Sequence, residues 1–201
     1  GLAPNTSEAD WLALAGDNEW LRNGMGGLYQ LFNEAAVLGS LINPRRGDAD
    51  LLVAGFNELH PLLEKAVVKE SKDGSSNELA VIARGMAKAA EILTGQFTLV
   101  ATNVPYLGRG KQDDTLKEHL EQNFPSSKAD LATAFVERCM HFCATGGSQA
   151  VVTPQNWLFL TTYTKLREAL LKNRTWNVIA RLGANAFQDM NWWAATTALL
   201  I

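Results

Sequence analysis

The sequence predicts an α/β protein in which a mainly helical segment, residues 1–96, precedes a mostly parallel, doubly wound sheet over residues 97–201. Three observations lead there. Apolar residues recur at helical spacing through residues 8–94. From Phe97 the pattern changes to short apolar runs alternating with amphipathic stretches. Glycine and proline fall where one pattern gives way to the next. With 201 residues and 47% hydrophobic content, the chain is long enough to bury a sizeable core.

In the first segment, "EADWLALAGDNEWLRN" sets Trp11, Leu14 and Leu21 at helical spacing, and "GGLYQLFNEAAVLGSLI" sets Leu28, Leu31, Phe32 and Ala35 on one stripe. The glycines of "NGMGGLY" predict a helix break between them, and Pro44 marks a second break. "DADLLVAGFNELHPLLEKAVVKE" reads as helix interrupted at Pro61, and "SKDGSS" as a surface loop. "NELAVIARGMAKAAEILTG" then reads as a helix capped by Asn77 and closed by Gly95.

In the second segment, "FTLVAT" is expected as a short buried strand and "SKADLATAFVERCMHFCATGG" as a helix closed by its glycines. The strand "SQAVVTP", the helix "YTKLREALLKN", and the strands "WNVIARLG" and "TTALLI" follow. Alternation of this kind puts helices on the faces of a mostly parallel sheet.

Composition excludes several functions. A formal net charge of −3 and a pI near 5.6 leave no global basic field, so a nucleic-acid partner would find most of its phosphate contacts elsewhere. No apolar run approaches the roughly 20 residues that span a bilayer, and "GLAPNTSEADW" lacks a leader pattern, so a cytoplasmic protein without a membrane partner is expected. The chain starts at a glycine and stops inside "TTALLI", as an excised piece of a longer polypeptide would. Cys139 and Cys143 are expected on one face of a helix with His141 turned away, a free and half-buried pair with no metal. His60, His119 and His141 stand alone and receive no role.

Ligands of open α/β sheets bind outside the carboxyl ends of the strands. Asn103-Val104-Pro105-Tyr106 follows one such end, and Gln155-Asn156-Trp157 follows the next. The Asn103 side-chain oxygen and a backbone carbonyl, of Val104 or of Pro105, are placed to receive the hydrogens of a conjugated exocyclic amine and to stabilise the positive charge that develops on it. Tyr106 offers a ring on which an extruded base stacks, and Pro105 fixes the backbone between them. Arg109 and Lys111, in the loop beyond, either reach DNA phosphates or ride in a solvated loop. Gln155, Asn156 and Trp157 line the pocket or, for Trp157 with Phe159, pack in the core. Lys165, Arg167, Lys172 and Arg174 are expected on a solvated helix face, and Trp192 and Trp193 as packing beside the last strand.

The tetrapeptide resembles motif IV, Asn-Pro-Pro-Tyr, of the amino-methyltransferases, with Val104 in place of the first proline. Together with "LYQLFNEAAVLGSLINP", "VVTPQNWLFLTTYTKLREALLKN" and "ARLGANAFQDMNWWAATTALLI", the chain looks like the adenine-N6 DNA methyltransferases of the type IIG restriction-modification and BREX phage-defence (PglX-like) group, over motifs IV to VIII. The resemblance implies strands four to seven of a Rossmann-like methyltransferase sheet, the target-base half, without the cofactor-binding half. It implies S-adenosylmethionine as cofactor, DNA as partner, a flipped adenine as substrate, and an inactive fragment when isolated. Asn103, Pro105 and Tyr106 would be catalytic, and Val104, Arg109, Lys111, Gln155, Asn156 and Trp157 substrate-binding. Self-association through an exposed sheet edge is a further expectation. A protein-glutamine or RNA methylase, or a catalytically silent structural or DNA-contacting fragment, are the alternatives.

Overall fold

The computed structural model describes residues 7–13, 15–44, 74–183 and 196–201. The chain divides into two compact units, Gly1–Gly95 and Gln96–Ile201.

In the first unit, α1 (Glu8–Ala13) and α2 (Glu19–Phe32) form a helical pair. Asn18 caps α2 by accepting the Leu21 N–H at 3.0 Å, and the buried Trp11 indole donates to the Met25 carbonyl at 2.7 Å. The break predicted at "NGMGGLY" does not occur: α2 runs through it. Each interior glycine costs about 1 kcal/mol relative to alanine. Leu21, Met25, Leu28 and Phe32 form one buried stripe that offsets this, and a Cβ on Gly26 would lie 3.7 Å from Leu12, so the small residues admit α1 closely.

The short α3 (Ala35–Leu38) leads into a 3-10 turn, Gly39–Leu41. Helix α4 spans Gly74–Thr94, so Gly74 to Ser76 of the predicted loop lie within it and Asn77 is not its cap. Gly95 closes α4 as expected, its N–H bonding the Ile92 carbonyl. Leu14, His60 and Pro61 lie outside the described residues.

The second unit holds a four-stranded mixed sheet in the order β1 (Phe97–Asn103), β2 (Cys143–Pro154), β4 (Thr197–Leu200), β3 (Ile179–Gly183). β1 and β2 pair in parallel, whereas β4 lies antiparallel to both its neighbours. β1, β2 and β3 therefore point one way and β4 is inserted against them, in agreement with part of a Rossmann-like sheet. Helices α5 (Asp114–Asn123), α6 (Leu131–Phe142) and α7 (Thr164–Asn173) accompany the strands. The core joins Val104, Val136 and Cys139 to Val151, Trp157, Leu166 and Leu200.

Three expectations change here. First, β1 is exposed, not buried: Phe97 is 43% and Leu99 60% accessible, because among the described residues the strand has a ladder partner on one side only. Its apolar run suits a strand covered on both faces. Second, α6 is not closed by glycines. It ends at Phe142, and Cys143 already belongs to β2. The Cys143 thiol turns back to the Cys139 carbonyl at 3.4 Å, and burial pushes the Cys139 thiol up to about 11. Both cysteines are free, and among the described residues no cluster of His, Cys, Asp or Glu could hold a metal. His141 instead stacks near Phe124, which His119 approaches from α5.

Third, "ATGG" builds a bulge inside β2. Register runs from Phe97 opposite Cys143 to Leu99 opposite Ser148, so the extra residues of β2 must loop out of the ladder. Gly146 takes φ +77°, and a Cβ on Gly147 would stand 2.8 Å from the Phe97 carbonyl oxygen and 3.0 Å from that of Ala144. Among the described residues no helix is long and apolar enough to cross a membrane.

Since both obstructing atoms at Gly147 are backbone, Gly147→Ala must displace β1 from β2. A loss of about 1–3 kcal/mol is expected in urea unfolding of the chain, the scale of overpacking; an unchanged midpoint would refute the close approach.

Candidate target-base site

Asn103 ends β1, opposite Val152 on β2. The ladder extends one residue further, since the Val104 N–H donates to the Val152 carbonyl at 3.3 Å while the Val104 side chain is buried in the core. A proline at 104 lacks this N–H. Pro105 is exposed, and the Tyr106 ring lies half-buried against the same core. The Tyr106 hydroxyl donates to Asn103 Oδ1 at 3.3 Å.

Beyond Tyr106 the chain is pinned to the start of α6. The Leu131 N–H and the Gln112 side-chain amide both donate to the Leu107 carbonyl, at 3.0 and 3.1 Å, and the Arg109 N–H bonds the Ala129 carbonyl at 3.0 Å. Two aspartates organise the helices on either side. Asp113 caps α5 by accepting the Leu116 N–H at 2.8 Å, and Asp130 caps α6 by accepting the Ala132 N–H at 2.8 Å. Helix α5 was not among the predicted elements, although Asp113 followed by Leu116 and Leu120 carries a legible start signal and inward face.

The two cations of this loop differ. Arg109 pairs with Glu121 on α5, where Lys128 also reaches Glu121 at 3.5 Å. The Arg109 guanidinium, with Lys128 beside it, holds the Glu121 carboxyl below the usual carboxylate range. Lys111 is exposed and forms no ion pair among the described residues.

The second rim begins where β2 ends. Gln155 is anchored through its N–H to the Thr196 carbonyl at 2.9 Å, and its side-chain oxygen accepts from Arg181 at 2.7 Å. Asn156 stays exposed, whereas Trp157 is buried in the core with its indole N–H on Thr153 Oγ1 at 3.0 Å. Phe159, in contrast, is exposed. Arg167 is not simply solvated: its guanidinium donates to the carbonyls of Trp157 at 2.7 Å and Leu160 at 2.6 Å, tying this segment to α7. Lys165, Lys172 and Arg174 are exposed, and Trp192 and Trp193 lie outside the described residues.

Between the rims lies an open cavity of about 330 Å³ walled by Tyr106, the segment Leu107 to Lys111, Asp130, Pro154 and Asn156. It brings together Tyr106, Arg109, Lys111 and Asn156. Asn103, Val104, Pro105, Gln155 and Trp157 are not in its walls; Asn103 is joined to it through Tyr106. Asp130 is the wall residue the sequence reading passed over, and "KAD" before an apolar helix carried its cap signal. Burial, with the Asp130 carboxylate as second cause, pushes the Tyr106 phenol above the usual tyrosine range.

The glycines of "NGMGG" lie within α2, not at a strand-to-helix turn, and among the described residues no strand precedes β1.

The sheet thus sets a carboxamide, a proline and an aromatic ring at the carboxyl end of one strand, Asn103, Pro105 and Tyr106. The chain belongs to the Eco57I restriction-modification methylase family, which matches over residues 48–187. It is similar to the adenine-specific methyltransferase BrxX of Escherichia coli O9:H4 (strain HS), 34% identical over 161 residues, covering 80% of this chain and 13% of that protein. It is also similar to the adenine-specific methyltransferase PglX of Lacticaseibacillus casei (strain Zhang), 35% identical over 109 residues, covering 53% of this chain and 9% of that protein.

Proposed function

We propose that this chain is the target-base half of an S-adenosylmethionine-dependent enzyme that methylates the N6 amine of an adenine flipped out of double-stranded DNA, in a restriction-modification or phage-defence system of the cytoplasm. The observation that carries the reading is the contact between Asn103 and Tyr106 at the carboxyl end of β1, beside a cavity that Lys111 and Asn156 border. Family membership and two relatives named adenine-specific methyltransferases support it.

The adenine amine is conjugated with its ring, and its lone pair is a poor nucleophile. In this reading Asn103 Oδ1 and the carbonyl of Val104 or Pro105 accept its two hydrogens, draw the nitrogen toward tetrahedral geometry, and stabilise the charge that grows on it. Pro105 holds the backbone between the acceptors. The Tyr106 ring takes the stacking face of the extruded base and offsets part of an unstacking cost of a few kcal/mol. Asn156 borders the space the base enters, and Gln155, fixed by Arg181, keeps that rim in place. Trp157 contributes as support beneath the rim. The methyl donor supplies an electrophilic methyl group, and the loops that hold it belong to the remainder of the enzyme.

In the complete enzyme, Asn103→Ala should lower kcat by about a hundredfold or more, the scale of one preorganised polar contact. Turnover at the parental rate would remove Asn103 from the chemistry.

The DNA backbone is expected to meet the loop through Lys111, because the charge of Arg109 is already answered by Glu121. Lys111→Ala should reduce the slope of log K against log salt by about one unit, uniformly across sequences, while Arg109→Ala leaves it nearly unchanged. Equal effects of the two substitutions would contradict this division.

The isolated 201-residue chain should neither bind S-adenosylmethionine nor methylate DNA. Micromolar binding with turnover, in calorimetry and a methyl-transfer assay, would mean that the cofactor site lies within it. In the same sample the exposed edge of β1, with Phe97 and Leu99, is the surface through which a second copy would pair. Sedimentation as a monomer at high concentration would exclude that pairing.

A further inference from the structure

Asn103 presents a difficulty that its chemistry alone does not resolve. A carboxamide has two ends of nearly equal size and opposite hydrogen-bonding sense. Only the oxygen can accept the hydrogens of an amine. With the ends exchanged, the Asn103 NH₂ would face the amine, donor against donor, and the acceptor would be lost. Rotation about the terminal torsion of asparagine is broad and roughly two-fold, so local geometry does not choose between them. Asn103 is exposed at the end of a strand, and among the described residues the Tyr106 hydroxyl is the one hydrogen-bond partner of its carboxamide.

We infer that the Tyr106 hydroxyl is a positioning group: by donating to Asn103 Oδ1 it turns the carboxamide oxygen toward the ring on which the base stacks. The inference rests on the target-base reading above and adds to it a second role for Tyr106, separable from stacking. A phenol donates to an amide oxygen more strongly than its own oxygen, whose lone pair is delocalised into the ring, accepts from an amide NH₂. The contact therefore favours the oxygen end, and that oxygen keeps a second lone pair for the substrate amine.

The donor is itself well held. Its ring packs against the core of the second unit, and Pro105 restricts the backbone that joins it to Asn103. Burial and the Asp130 carboxylate keep the phenol protonated through the neutral range, so it remains a donor. The hydroxyl proton goes to Asn103 Oδ1, while Asp130 Oδ1 accepts the Ala132 N–H at the cap of α6.

The experiment is a double-mutant cycle in the complete enzyme, with kcat and KM on paired DNA and the fluorescence of 2-aminopurine at the target position as the stacking readout. Tyr106→Phe keeps the ring and removes the hydroxyl. It should lower kcat about tenfold, the worth of one hydrogen bond near the top of the usual range, with KM and the 2-aminopurine signal as in the parent. Asn103→Asp puts two equivalent oxygens at 103, so nothing remains to be oriented. In that background, adding Tyr106→Phe should change kcat by less than about twofold. A Tyr106→Phe single variant within about twofold of the parent overturns the inference, as does an equal loss in both backgrounds. A loss that tracks a changed 2-aminopurine signal also overturns it, since stacking then explains the effect. Should Asn103→Asp be inactive, the kcat and fluorescence of the single variant decide. An Asn103→Ala enzyme of full activity would remove the target-base reading itself, which separates that failure from this one.

Discussion

The parallel pairing of β1 with β2 is the constraint on which the rest of this site depends. It sets Asn103 opposite Val152, and the extra bond from the Val104 N–H carries the ladder one residue past the end of β1. Because β2 continues to Pro154 before turning, the two strand ends are staggered, and the rim of Gln155 and Asn156 stands beyond the Asn103 level. The cavity occupies that step. At the other end of the same pair, the bulge of Ala144 to Gly147 absorbs the surplus length of β2. Backbone hydrogen bonds set the level at which the motif leaves the sheet, and the packing of Val104 and Tyr106 on the core holds it there.

The loop after Tyr106 shows how few residues are needed to make irregular backbone definite. Leu107 and Arg109 use their backbone groups on Leu131 and Ala129, and aspartate caps at 113 and 130 begin the helices on either side. The ion pair from Arg109 to Glu121 then ties the loop to α5. These commitments shape the electrostatics of the cavity. Its wall carries Lys111, a cation without an ion pair among the described residues, Arg109 as a neutralised one and Asp130 as an anion, on a chain of net charge −3. Such a wall does not act as a broad basic funnel. Binding there rests on individual contacts.

The region after β2 has a similar economy. Arg167 projects from α7 onto two carbonyls of the Trp157–Leu160 turn, and Arg181 reaches from β3 to Gln155 and sits 5.7 Å over the exposed Phe159 ring. Arg167, which the sequence pattern assigns to solvent, and Arg181 thus organise the second rim. Trp157, buried beneath, keeps its indole N–H on Thr153, which is how a large aromatic residue with one polar atom is accommodated in a core.

The sequence by itself determined what local chemistry controls. The helix Thr164–Asn173, the strand that leads into Asn103, the glycine stop after Thr94 and the order of strands along the second unit follow from side-chain periodicity and from residues that break it. The tetrapeptide was legible for the same reason, because its four residues are contiguous. Tertiary structure alone decided the rest, where a distant partner outweighs a local preference. The buried stripe of α2 overrides its glycines, and the sheet recruits Cys143 and two glycines that would otherwise end a helix. β4 enters antiparallel between β2 and β3, a choice between edges of a sheet that no single strand's composition encodes. Arg109 and Lys111, two residues apart and alike in sequence, differ among the described residues because Glu121 stands within reach of Arg109 and makes it a structural tether.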